Sequence, residues 1–270
     1  MIDKNSIVLL TTVSNFDLYN KTKYSHPKGI KKVVIDGQDG MYGIESLYYS
    51  FKKLRNRNIK WLILADEDVI FLDNLAIFDI IEKLQDTGAI AAGVRDGGTI
   101  PNRIHNPYVP NMFFCVLNFE KIVQVYNKKE IKKNEFISKD EFIEDLSGLK
   151  EPFKTESLFE PYYKFFLWLK RKGEHYLFLN AELYDSKNDE LTTLVKSLNG
   201  KPMLIHTWFA RSYGWNKYQT KRIDSLLQIF NSKIVPEESE SVSIIKDPYF
   251  KYQNKIKKFF LKLKMKSFIK

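Results

Sequence analysis

A chain of 270 residues with 44% hydrophobic content, 20 Phe and 15 Tyr can bury a sizeable core in one large α/β domain and is not disordered overall. Its one cysteine, Cys115, lies inside an apolar run, which excludes a disulfide framework and a cysteine metal site. The net charge is +10, but residues 246–270 hold nine lysines against Asp247 and carry +8 of it; the remaining +2 over 245 residues excludes a domain that coats nucleic acid.

The apolar, β-branched stretch 7–13 predicts a buried strand, and 32–36 predicts a second. The first strand follows Met1-Ile2-Asp3-Lys4-Asn5-Ser6 directly, with no apolar leader and cleavage site, so a cytoplasmic protein is expected. Residues 42–57 space Ile44, Leu47, Tyr48, Phe51 and Leu54 by three and four, which predicts an amphipathic helix. The stretch 61–65 is apolar throughout, as in a central strand covered on both faces. A helix over 74–85 and a strand over 89–94 complete a βαβ rhythm, which implies a mostly parallel sheet flanked by helices.

Residues 95–111, with Gly97, Gly98, Pro101, Pro107 and Pro110, read as a long loop, and such loops are often functional. A strand is expected over 112–117, helices over 157–172, 189–198 and 215–230, and short strands over 176–179 and 203–205. Residues 128–155 are charged and weakly patterned. The stretch 231–249 reads as a linker between a domain of residues 1–230 and a basic tail at 250–270.

The chemistry concentrates at Asp66-Glu67-Asp68, directly after the central strand. Open α/β sheets bind ligands at the carboxyl ends of their strands. Three adjacent acids repel unless a cation is present, and a hard divalent ion takes such oxygens readily. Asp66 and Asp68 can both reach one ion if the chain turns there; the alternative is a solvated turn.

The segment Leu64-Ala65-Asp66-Glu67-Asp68-Val69-Ile70-Phe71 resembles the Asp-x-Asp motif of nucleotide-sugar glycosyltransferases with the GT-A fold. That resemblance implies Mn2+ or Mg2+ held against the donor diphosphate. Val109-Pro110-Asn111-Met112-Phe113-Phe114-Cys115-Val116-Leu117-Asn118 is similar to the family segment in which an Asn opens a hydrophobic strand lining the sugar pocket. Lys201-Pro202-Met203-Leu204-Ile205-His206-Thr207-Trp208-Phe209 is similar to the late strand that ends in a metal-binding His in several subfamilies. The likeness runs over about residues 7–215 and departs from any one subfamily, because the Asn111 strand lacks the usual Gly.

It implies nucleotide contacts at Thr11, Thr12 and Val13 where the first strand ends. Asp36 is similarly placed toward base or ribose, or is strand-end polarity. Tyr42 stacks on the base or packs. Arg211 neutralises the leaving diphosphate, which its fork geometry suits, or makes a surface salt bridge. Glu156 and Glu160 precede an aromatic helix, where acids suit the helix dipole. By likeness to inverting enzymes Glu160 is the catalytic base, whereas the Asn111 and His206 matches lean toward retaining ones. Asp96 contacts sugar or acceptor, or forms the turn.

On a helical wheel Tyr252, Ile256, Phe259, Phe260 and Leu263 form a stripe flanked by lysines, while Leu261, Met265 and Ile269 fall opposite. An anionic membrane surface is the expected partner, at the inner face of the membrane, which suits a glycan or lipid-linked acceptor. Two rivals make poorer fits. A sugar-phosphate nucleotidyltransferase needs a Gly-rich loop where Ser14-Asn15-Phe16-Asp17 stands, and a basic binding module needs charge spread over the domain.

Overall fold

The computed structural model describes residues 2–231, 241–257 and 259. In chain order the elements are β1 (Ile7–Val13), α1 (Phe16–Thr22), β2 (Lys31–Asp36), α2 (Ile44–Leu54), β3 (Trp61–Ala65), β4 (Val69–Phe71), α3 (Ala76–Thr87), β5 (Ala91–Arg95), β6 (Pro110–Asn118) and α4 (Phe119–Val125). There follow α5 (Lys128–Ile131), α6 (Tyr163–Arg171), β7 (Tyr176–Leu179), β8 (Ala181–Asp185), β9 (Asp189–Lys196), β10 (Pro202–His206), α7 (Lys217–Asn231) and β11 (Val242–Ile245).

Seven strands form the main sheet in the order β11-β2-β1-β3-β6-β5-β7. Only β6 runs against its neighbours; the β11/β2, β2/β1, β1/β3 and β5/β7 pairs are parallel. This is the mixed, mostly parallel α/β sheet that the alternating pattern predicts. Alternate residues of the strands serve opposite faces. Val8, Leu10, Leu62 and Leu64 pack with Leu47, Phe51 and Leu54 of α2 and with Phe165 and Phe166 of α6. Ile7, Leu9, Trp61 and Ile63 pack with Ile77, Ile80, Ile81 and Leu84 of α3. Phe51 is fully buried and stacks on Phe119 and Tyr126 at 4.9 and 4.3 Å. Truncating it to Ala would cost about 3–5 kcal/mol in lost transfer energy and cavity.

A second, antiparallel sheet, β4-β10-β9-β8, stands on the carboxyl side of β3. Two expectations are corrected here. Residues 189–196 are strand β9 and not a helix, because Thr193 and Val195 suit a pleated surface and pair with β8 and β10. The expected linker contains β11, which adds a strand to the edge of the main sheet beside β2. The helix that follows, residues 250–257, therefore starts close to the domain, and Phe250 packs into its core. Of the stripe expected to meet a membrane, Phe260 and Leu263 lie outside the described residues, as do 232–240.

His26 is buried between the rings of Tyr19 and Phe71, 5.8 Å from each, and neither of its nitrogens has a hydrogen-bond partner. Burial, with a smaller contribution from Lys32, lowers its pKa to about 3.

Candidate functional site

Strand order reverses at β1, with β2 on one side and β3 on the other. A crevice must open outside the carboxyl ends at such a point. A cleft of about 1140 Å³ lies there, lined by Thr12 and Ser14 beyond β1 and by Asp66, Glu67 and Asp68 beyond β3.

The acidic run divides its work. After Ala65 the chain turns, with the Val69 amide bonded to the Asp66 carbonyl at 3.1 Å. Glu67 is taken up by the end of β1. Its Oε1 accepts from the amides of Ser14 (2.9 Å) and Asn15 (3.2 Å) and from the Ser14 hydroxyl (2.6 Å), which ties the ends of β1 and β3 together. Asp66 and Asp68 remain for a ligand. The β4–β10 pairing sets His206 opposite Val69 and thus beside Asp68. One ligand atom each from Asp66, Asp68 and His206 lies within 4.8 Å of the others.

His206 is buried, its Nε2 3.1 Å from Asp68 Oδ1 and its Nδ1 without a hydrogen-bond partner. Its ring is fixed by stacking on Phe113 at 4.3 Å and by Trp208 at 4.1 Å. Burial first, then the Asp68 and Glu67 carboxylates, pushes Asp66 well above the usual carboxylate range, and Arg211 pulls it back. Two carboxylates and an imidazole fit a divalent cation.

Trp208 and Phe209 both have positive φ, 60° and 65°. For two bulky residues in succession this is strained backbone, kept only where the surroundings over-determine it. Trp208 Nε1 donates to Thr193 Oγ1 at 2.9 Å. Arg222 donates to the carbonyls of Thr207 and Trp208, and also to Thr192 Oγ1 at 2.7 Å. The bend carries the chain from His206 round to Arg211, whose guanidinium lies 4.6 Å from the Tyr42 ring centroid in the same cleft.

A second cluster centres on Asp96, which has no exposed surface. Arg103 meets it with both ends of its fork, Nε to Oδ1 at 2.6 Å and Nη2 to Oδ2 at 2.7 Å. Asn111 Nδ2 donates to it at 2.6 Å, and the hydroxyls of Tyr162 (3.1 Å) and Tyr163 donate as well. Both oxygens are thus occupied, and Asp96, which does not line the cleft, holds Arg103 and Asn111. Arg103 in turn donates to Glu160 Oε1 at 2.9 Å. Burial alone would lower the Arg103 pKa, but Asp96 and Glu160 more than offset it and hold the guanidinium charged. Gly97 shapes this loop: a Cβ there would lie 2.1 Å from the His105 carbonyl oxygen, and its bridge to Ile104 sets the position of Arg103.

The structure thus brings Thr12, Tyr42, Asp66, Asp68, Asn111, Glu160, His206 and Arg211 to one cleft. Thr11 and Val13 are buried and do not line it. Asp36 is not free at the end of β2, since it accepts from Lys246 Nζ at 2.8 Å and from the Gln38 amide at 3.1 Å. Arg103 and Trp208 escape sequence reasoning; the one signal is their place in the long loop and just beyond the His206 strand.

No protein-family model matches the sequence, and no curated protein matches it. Among solved structures the chain is similar to mouse xyloside xylosyltransferase 1 in its apo form, with TM-score 0.39 and 9% identity over 66% of this chain and 85% of that one. It is similar to the apo glycosyltransferase GlyE of Streptococcus pneumoniae TIGR4, with TM-score 0.39 and 12% identity over 88% of this chain and 66% of that one. It is also similar to the mannosyltransferase PcManGT of Pyrobaculum calidifontis, solved with GDP-Man and Mn2+, with TM-score 0.30 and 9% identity over 56% and 55%.

Proposed function

We propose that this chain is a metal-dependent glycosyltransferase of the GT-A type, moving a hexosyl unit from a nucleotide-sugar to a glycan or lipid-linked acceptor. The observation that carries the proposal is the convergence of Asp66, Asp68 and His206 within 4.8 Å at the switch point of the sheet. Mn2+ held there would act as a Lewis acid on the departing nucleoside diphosphate. Arg211 adds a bidentate cation for the same phosphates, and Tyr42 offers its half-exposed ring to the base. Asn111, fixed by Asp96, faces the sugar. Glu160, held by Arg103 through one oxygen, is the base if the reaction inverts configuration, since a base must reach the acceptor hydroxyl as attack proceeds.

A nucleotidyltransferase is the poorer reading. The amides of Ser14 and Asn15, which a phosphate loop after β1 would need, are both taken by Glu67.

The setting we favour is bacterial surface-polysaccharide synthesis at the inner face of the membrane. Among the described residues no helix is long and apolar enough to cross a membrane. Tyr252, Ile256 and Phe259 are 65%, 57% and 60% exposed, an apolar face that an interfacial helix would bury.

A thermal-shift screen of nucleoside diphosphates and nucleotide-sugars, with Mn2+, Mg2+ or chelator, tests the proposal. The expected result is stabilisation by one nucleotide class that depends on Mn2+, followed by consumption of the matching donor. Full turnover in excess chelator would sink the metal-dependent mechanism.

A further inference from the structure

The cleft carries a second group of charges that the transfer mechanism does not use. Lys128 and Lys132 from α5 and its C-terminal cap, Lys164 from α6 and Lys257 from the C-terminal helix all line it. Four cations are thus gathered from three separate parts of the chain. Two acids answer them: Glu45, 3.3 Å from Lys257, and Glu135, which pairs with Lys164. Among the described residues neither Lys128 nor Lys132 has an ion-pair partner; Lys128 sits 4.2 Å over the Tyr48 ring.

The grouping is electrostatically costly. Partial burial first, and then the charges of Lys132 and Lys257, lower both Lys128 and Lys164, with Glu45 opposing. Unbalanced like charge in a cleft focuses its field and recruits a counter-ion. The donor diphosphate is already provided for by Asp66, Asp68, His206 and Arg211. The same helix that sends Lys257 into the cleft keeps Tyr252, Ile256 and Phe259 exposed on its outside. A ligand that is anionic in the cleft and apolar beyond it would match both faces of this helix.

We propose that these lysines bind the diphosphate of a lipid-linked acceptor, whose hydrocarbon chain stays in the membrane under the exposed face of the helix. This assignment rests on the glycosyl-transfer reading and adds to it the chemical class of acceptor.

The test uses the full chain, wild type and K128A/K132A, with farnesyl diphosphate as probe in the presence of EDTA. Calorimetry should show binding to the wild type that weakens at least tenfold in the variant and falls with salt. Inorganic pyrophosphate, which lacks the apolar part, should bind more weakly than farnesyl diphosphate. In parallel, the Mn2+-dependent response to nucleotide should be the same in both proteins. That arm reads the glycosyl-transfer proposal separately, because its failure in the wild type would reject the parent reading whatever the lysines do. Equal farnesyl diphosphate affinity in wild type and variant overturns the lysine site. Pyrophosphate or an anionic glycan binding as tightly as farnesyl diphosphate overturns the lipid assignment. Should the double variant unfold, K132E, at an exposed side chain, repeats the comparison.

Discussion

Replacing Asp68 with Asn should stabilise the metal-free protein and make it indifferent to Mn2+. Asp66 and Asp68 place their ligand oxygens within 4.8 Å of each other. At an effective dielectric constant of 20, two ionised carboxylates at that distance repel by about 3.5 kcal/mol. Asp66 relieves part of this by holding its proton to higher pH, as its raised pKa shows. The amide keeps the shape of the side chain and can still accept from His206 Nε2, now 3.1 Å from Asp68 Oδ1. A net gain of about 1–3 kcal/mol is expected without metal, or about 2–6 °C in Tm for a chain of this size. For the wild type, Mn2+ at a hundred times its Kd should add about 2.7 kcal/mol, and D68N should gain little of it. Thermal unfolding followed by circular dichroism, in EDTA and in Mn2+, reads both effects. If D68N unfolds below the wild type in EDTA, Asp68 is a structural acid and the repulsion argument is wrong. An equal response of both proteins to Mn2+ would remove Asp68 from the metal site.

Further outcomes are expected elsewhere in the molecule. Glu160→Gln should lower turnover by about 10²–10⁴-fold with donor affinity nearly unchanged, provided the product is inverted; retained anomeric configuration by NMR would reject the base assignment. Arg103→Ala leaves Asp96 fully buried without its countercharge and should cost about 3–5 kcal/mol in urea unfolding, so a loss below 1 kcal/mol would contradict the hub. His26 is held neutral in the fold to about pH 3 while the unfolded chain protonates near 6.5, so its contribution is complete above pH 6.5 and is lost as pH falls toward 3. At pH 4.5 that loss is about 2.7 kcal/mol, and H26F, which leaves no orphaned nitrogen, should flatten the slope of stability against pH by that amount. Truncation after Asp247 keeps β11, so the protein should still unfold cooperatively and bind Mn2+, while binding to anionic liposomes disappears; liposome binding that survives truncation would move the membrane contact elsewhere.

How far the site could be read in advance depended on how local its causes were. The run 61–65 and the acids behind it are legible because burial on both faces and abrupt polarity are written in consecutive residues. His206 is legible for the same reason, at the end of a short apolar strand. Arg103 is not, because its partners Asp96 and Glu160 stand 7 and 57 positions away and its loop has no period. The stretch 189–198, expected to be helical, has Leu191, Leu194 and Val195 at near-helical spacing, a pattern that an internal strand of a small sheet produces equally well. Four residues of β11 amid serines and charges carry no signal of their own; a partner strand some 200 residues upstream decides their conformation.

That last pairing bears on how the protein is made. Lys246, just past β11, reaches Asp36 across 210 positions of chain. At a synthesis rate of about 5–20 residues per second, β2 waits roughly 10–40 s on the ribosome before its outer neighbour emerges. Throughout that interval the growing sheet ends in an unpaired strand with a buried-type centre, Val33-Val34-Ile35, which is a template for the wrong partner. Lys31 and Lys32 at the start of the strand place positive charge on this open edge, the kind of side chain that discourages one nascent copy from pairing with the next. A variant with both lysines replaced by threonine should therefore show its defect in yield from cells, through aggregation during synthesis, and little or none in the stability of the protein that is recovered.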